Sequence, residues 1–143
     1  MEIQGPEAGA ASAAAVAVKT GAKVLVIDDS NTIRRSAEIF LRQGGHEVLL
    51  AEDGFDALSK VNDHDPELIF CDILMPRLDG YQTCAIIKRN PRFAHVPVIM
   101  LSSKDGLFDK ARGRMVGSQD YLTKPFTKEQ LLRAVESYRR AAA

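Results

Sequence analysis

The chain has no tryptophan, and aromatics make up only 6% of its 143 residues, so a platform for stacking bases or sugars is not expected. Its two cysteines, Cys71 and Cys84, are too few for a disulfide scaffold and lack metal-site spacing. They read as small buried apolar residues in a reducing, cytoplasmic compartment. An excess of either charge is also missing. Lys+Arg and Asp+Glu both total 19, and without surplus cations to displace counterions, nucleic acid is not an expected partner. No apolar run approaches the roughly 20 residues needed to cross a bilayer, so no membrane partner is expected either. What is present, 45% hydrophobic and 27% charged residues, fits one globular domain.

Residues 1–22 differ from the rest. They are rich in alanine and glycine, with no large apolar residue beyond Ile3, Val16 and Val18. Such a stretch gains little from packing and is expected to be a mobile extension. Glu2 and Glu7 precede Lys19, unlike the positive start of a secretory signal. The domain itself is expected over residues 23–143.

From Lys23 the chain alternates between strand and helix patterns. Lys23–Ile27, Glu67–Cys71 and Val96–Leu101 are short apolar runs of the kind buried on both faces of a parallel sheet. Glu47–Ala51 and Asp120–Leu122 complete five strands. Helices are expected between them. The first carries Ile33, Ala37, Phe40 and Leu41 and closes at Gly44-Gly45; the second, Gly54 to Val61, turns Phe55, Leu58 and Val61 inward. The third carries Cys84 and Ile87 and stops near Asn90-Pro91. A fourth, weakened by glycines, is expected to bury Leu107, Phe108, Ala111 and Met115. The fifth opens on the capping box Thr127-Lys128-Glu129-Gln130. The fold class is therefore α/β, a (βα)5 doubly wound sheet of five parallel strands with right-handed crossovers.

In such a sheet, ligands bind at the carboxyl ends of the strands, beside the switch in strand order. The first strand delivers Asp28 and Asp29 to that edge, the third Asp72, the fourth Ser102 and Ser103, and the fifth Lys124-Pro125. Three clustered carboxylates repel one another and raise at least one pKa unless a cation sits among them. A hard divalent ion such as Mg²⁺ suits that oxygen set. An ion, an amine and a hydroxyl are also the groups that gather phosphoryl oxygens, and a carboxylate can be the nucleophile. The residues thus read as a Mg²⁺-dependent, phosphoryl-accepting aspartate. For one aspartate, helix capping would be explanation enough; two of them joined by Asp72 and Lys124 leave that reading weak. Ser102 as a plain cap and Tyr121 as edge packing are stronger rivals, and His46, His64 and His95 read as solvent-facing.

The strings Val-Leu-Val-Ile-Asp28-Asp29-Ser, Cys71-Asp72-Ile-Leu-Met75-Pro76-Arg-Leu-Asp79-Gly80, Val-Ile-Met-Leu-Ser102 and Leu-Thr-Lys124-Pro125-Phe126 occur in order. Together they resemble the response-regulator receiver domains of two-component signalling, from Lys23 to about Tyr138. Longer strings, such as Asp53-Gly-Phe-Asp-Ala-Leu and Ser102-Ser-Lys-Asp-Gly-Leu-Phe-Asp-Lys110, resemble the single-domain regulators of type IV pilus chemosensory systems. The resemblance implies a flavodoxin-like strand order 2-1-3-4-5 and phosphorylation of Asp72 by a chemosensory-type histidine kinase. It implies that Asp29 and Asp72 hold Mg²⁺ directly, Asp28 largely through a water, and Leu74 through its backbone carbonyl. Lys124 would pair with the phosphoryl group, Ser102 would hydrogen-bond to it, and Tyr121 would turn inward as the Ser102 loop moves. Pro125 matches a cis position that would aim Lys124. Serine stands at 102 where threonine is commoner, which keeps the hydroxyl and loses χ1 stiffness. Little chain follows Lys124-Pro125, so output is expected through protein contacts of a monomer, on pilus machinery or a regulatory protein, and not through catalysis. A phosphorylation-independent adaptor and an aspartyl-phosphate phosphohydrolase are the rival readings. The second lacks the usual aspartate two residues after the nucleophile, where Leu74 stands.

Overall fold

A computed structural model describes residues 21–103 and 109–142. The elements alternate as β1 (Lys23–Ile27), α1 (Asn31–Gln43), β2 (Glu47–Ala51), α2 (Gly54–His64), β3 (Leu68–Asp72), α3 (Gly80–Arg89), β4 (Val98–Ser103), α4 (Lys110–Val116), β5 (Asp120–Lys124) and α5 (Lys128–Ala142). All strand pairs are parallel, in the order β2-β1-β3-β4-β5.

The two faces of the sheet follow from side-chain alternation along each strand. Leu25, Ile27, Ile69, Cys71, Val98 and Met100 point to one side, where Ala57 and Val61 of α2 and Tyr81, Cys84 and Ile87 of α3 cover them. Val24, Val26, Leu68, Phe70, Ile99 and Leu101 point to the other, under Ala37 and Leu41 of α1 and Leu131, Ala134 and Val135 of α5. Because both faces are covered, the central strands contain almost only apolar residues.

Short polar side chains start the helices. Ser30 accepts from the Ile33 N–H, Asp53 from Asp56 and Asp109 from Arg112. Asp79 and Gln82 form a capping box on α3, and Thr127 and Gln130 exchange the corresponding bonds on α5.

Four expectations are corrected. Phe55 is 53% exposed, and α2 buries Ala57 and Val61 instead. Met115 is 86% exposed and Ala111 also faces outward; α4 turns Gly113 and Val116 inward, while Leu107 and Phe108 lie outside the described residues. His46 is buried, its Nδ1 accepting the Ala22 N–H at 3.0 Å. Ala22 is itself fully buried, which draws it into the domain; residues 1–20 of the expected extension lie outside the described residues.

Candidate functional site

The order β2-β1-β3 reverses the direction of winding between β1 and β3, and the crevice of the switch opens there. Ile27 pairs with Cys71 in the ladder, so the next residues, Asp28 and Asp72, leave the two strand ends side by side. Ser103 pairs with Lys124, which brings the β4 and β5 ends to the same rim.

Asp28 is fully buried and satisfied on both oxygens: Oδ1 accepts from the Ser30 N–H at 2.9 Å and Oδ2 from Lys124 Nζ at 3.1 Å. The same Nζ donates to Asp72 Oδ1 at 3.1 Å. Asp29 stands exposed beside them, and one carboxylate oxygen from each of Asp28, Asp29 and Asp72 lies within 4.8 Å of the others. Above this floor is a cavity of about 200 Å³ whose lining includes Asp29, Asp72, Leu74, Ser102 and Lys124.

The electrostatics follow from this crowding. Burial is the main reason the Asp72 carboxyl is pushed up to about 6; the Asp28 charge adds to it, and Lys124 pulls the other way. Burial also opposes the charge on Lys124, but Asp28 and Asp72 outweigh it and raise that pKa. One ammonium thus serves two buried carboxylates while a third acid stands nearby. Among the described residues the arrangement is short of positive charge.

Residues 24–136 match the response regulator receiver domain.

The chain belongs to the response regulator receiver family.

Among its relatives, Protein PilG of Pseudomonas aeruginosa is 65% identical over 118 residues, which cover 82% of this chain and 87% of PilG. Protein PilH of the same bacterium is 35% identical over 116 residues, covering 81% of this chain and 96% of PilH. The chemotaxis protein CheY4 of Vibrio cholerae, a solved structure, superposes with a TM-score of 0.79 at 32% identity, covering 83% of this chain and 99% of that one. The flavodoxin-like architecture is therefore shared with a chemotaxis receiver.

Mg²⁺ is the ion that receiver domains bind, and the donor set here fits it. Three carboxylates converge on one point, one of them with a raised pKa, and hard oxygen ligands are what this ion takes.

Of the remaining expected residues, Ser102, Leu74 and Pro125 lie at this receiver's rim, whereas Tyr121 stands three residues before Lys124 on β5, opposite Met100. Ser102 is buried and lines the cavity, its hydroxyl donating to the Ser103 carbonyl at 3.3 Å. Leu74 is 69% exposed on the loop after β3. Tyr121 is half-buried against the core beneath α2 and α3, with Lys110 Nζ 5.8 Å from its ring centroid. The Lys124–Pro125 peptide is cis.

Sequence reasoning missed Gly80 as a site residue. Its N–H donates to the Ile73 carbonyl at 2.8 Å, and a Cβ there would stand 2.3 Å from the Asp72 carbonyl oxygen. The start of α3 is thus pressed against the backbone of Asp72. The signal was the Asp79-Gly80 pair, which reads as a helix cap and gives no hint of that close approach.

Proposed function

We propose that the protein is a phosphorylation-controlled switch in which Asp72 accepts a phosphoryl group from the phosphohistidine of a chemosensory-type kinase. A carboxylate oxygen of Asp72 forms the new P–O bond as the donor's P–N bond breaks, leaving an aspartyl phosphate on the receiver and a free histidine on the kinase. Lys124, held between Asp28 and Asp72, would pair with a phosphoryl oxygen. Asp29 and Asp72 face the cavity and would hold Mg²⁺ directly, with the Leu74 carbonyl; Asp28, below them and bonded to Lys124, would act at one remove. When bound, the ion supplies positive charge to the acid cluster and offsets the phosphoryl charge.

The Ser102 hydroxyl would donate to the phosphoryl group, moving its loop, and Tyr121 would follow inward. The altered surface changes protein contacts, so the activity is signalling and the only chemistry is phosphoryl gain and loss at Asp72. The similarity to PilG, nearly the whole of which is matched, supports a cytoplasmic role in type IV pilus (twitching) motility, as a monomer acting on pilus machinery or its regulators.

The observation that carries this reading is the buried Asp72 carboxylate at the floor of an open cavity, 3.1 Å from the Lys124 ammonium. Transfer of labelled phosphate from a phosphorylated chemosensory kinase to the wild-type chain, and not to Asp72→Asn, is the expected result. Equal labelling of both would refute the assignment.

A further inference from the structure

The loop from Ile73 to Asp79 carries Leu74 past the cavity and makes one unusual turn. The Leu78 N–H donates to the Pro76 carbonyl at 2.7 Å, an i to i+2 bond, and Arg77 between them has φ +70°. A three-residue turn of positive φ is strained for a residue with a side chain, and persists only where its surroundings hold it. Here the first turn of α2 does the holding. The Arg77 guanidinium donates to Asp53 Oδ2 at 3.1 Å and lies 5.1 Å from the Phe55 ring centroid. The Leu78 side chain packs on the bare Cα of Gly54, where a Cβ would meet Leu78 Cδ2 at 2.7 Å. Asp53 uses both oxygens, Oδ1 capping α2 through the Asp56 N–H at 2.7 Å and Oδ2 taking the arginine. The exposed Phe55 ring thus has a use that core packing does not explain.

We propose that Asp53, Phe55 and Arg77 form a clamp that fixes the loop after β3 against α2, and so sets where the Leu74 carbonyl stands relative to Asp29 and Asp72. These three are positioning residues: they hold the oxygen that the proposed function assigns to Mg²⁺, and the inference rests on that reading. Groups that orient metal ligands from outside the ligand shell commonly alter affinity when removed. The Arg77 side chain is 65% exposed, so the effect is that of a surface pair, modest and weakened by salt.

The test is calorimetric Mg²⁺ titration of the full chain, with thermal unfolding in EDTA as a check on the metal-free fold. Asp53→Asn keeps the capping oxygen and removes the charge; Arg77→Gln removes the other partner; Arg77→Gly in addition relieves the backbone. Each is expected to weaken Mg²⁺ binding by about threefold, the size of an exposed pair. The Asp53→Asn/Arg77→Gln double variant should be no weaker than the weaker single variant, and Arg77→Lys should recover part of the loss. Titrations like wild type, or losses that multiply in the double variant, would overturn the clamp while wild type still binds Mg²⁺ through Asp29. If wild type and Asp29→Asn both fail to bind Mg²⁺, the metal site fails, and the clamp with it. Loss of affinity that merely tracks a fall in metal-free melting temperature would also overturn it.

Discussion

Lys124 Nζ stands 3.1 Å from Asp72 Oδ1, joining the last residue of β5 to the last residue of β3. The same ammonium reaches Asp28 Oδ2 at 3.1 Å, so one cation balances two buried acids. Breaking a buried ion pair from one side is costly because the partner stays buried and uncompensated. Lys124→Ala should therefore destabilise the Mg²⁺-free protein by about 3 kcal/mol near pH 7.5. The loss should shrink below pH 6 as Asp72 takes up a proton, and urea unfolding at both pH values reads it.

The raised pKa of Asp72 has a definite sign. The carboxyl titrates near 3.8 when unfolded and at about 6 when folded, mainly because it is buried. Between those values the native state holds a proton that the unfolded state has lost, so this group's contribution to stability falls as pH rises through the window. Asp72→Asn should remove that dependence and stabilise the Mg²⁺-free fold at pH 7 by roughly 1–3 kcal/mol. Urea midpoints from pH 4 to 7.5 would show the two curves diverging upward.

His46 has the opposite slope. Burial, helped by the Arg139 charge, lowers its pKa below 6.5, and its Nδ1 must stay unprotonated to accept the Ala22 N–H. Stability is then lost as pH falls below 6.5, because the unfolded state binds the proton more readily. In an Asp72→Asn background, where the competing titration is gone, lowering the pH from 7.5 to 5.5 should lower the melting temperature. Adding His46→Gln should flatten that response.

Gly80→Ala would drive a Cβ to 2.3 Å from the Asp72 carbonyl oxygen and 2.8 Å from Ile73 Cα. Both neighbours are backbone and cannot swing aside. The cost should be about 3 kcal/mol, with impaired Mg²⁺ binding in whatever remains folded. Chemical denaturation and Mg²⁺ titration of the same sample separate the two effects.

The central fold was readable because β1, β3 and β4 are buried on both faces and their composition shows it: Val24 to Ile27, Leu68 to Cys71 and Val98 to Leu101 have no exposed face to accommodate. The site was readable for a related reason. Parallel winding sends every strand's carboxyl end to one rim, so Asp28, Asp72, Ser102 and Lys124 could be grouped without knowing any distance. Single positions set by tertiary contact were not readable. Phe55 fits an apolar helix face, yet its ring serves Arg77 outside the core. Met115 has helical spacing, but α4 is a single short helix turned so that Gly113 and Val116 face inward. His46 follows two glycines and precedes Glu47 in sequence, and it is buried because the chain entering β1 crosses over it. The Asp53–Arg77 pair spans 24 residues, and nothing local to either residue announces it.

The most direct test of the account is intact-mass spectrometry after incubation with a small phosphodonor, with and without Mg²⁺, followed by peptide mapping. The account predicts one added phosphoryl group on the wild-type chain, dependent on Mg²⁺, mapped to Asp72 and absent from Asp72→Asn. An unmodified wild-type chain, or a phosphoryl group that persists in Asp72→Asn, would contradict it.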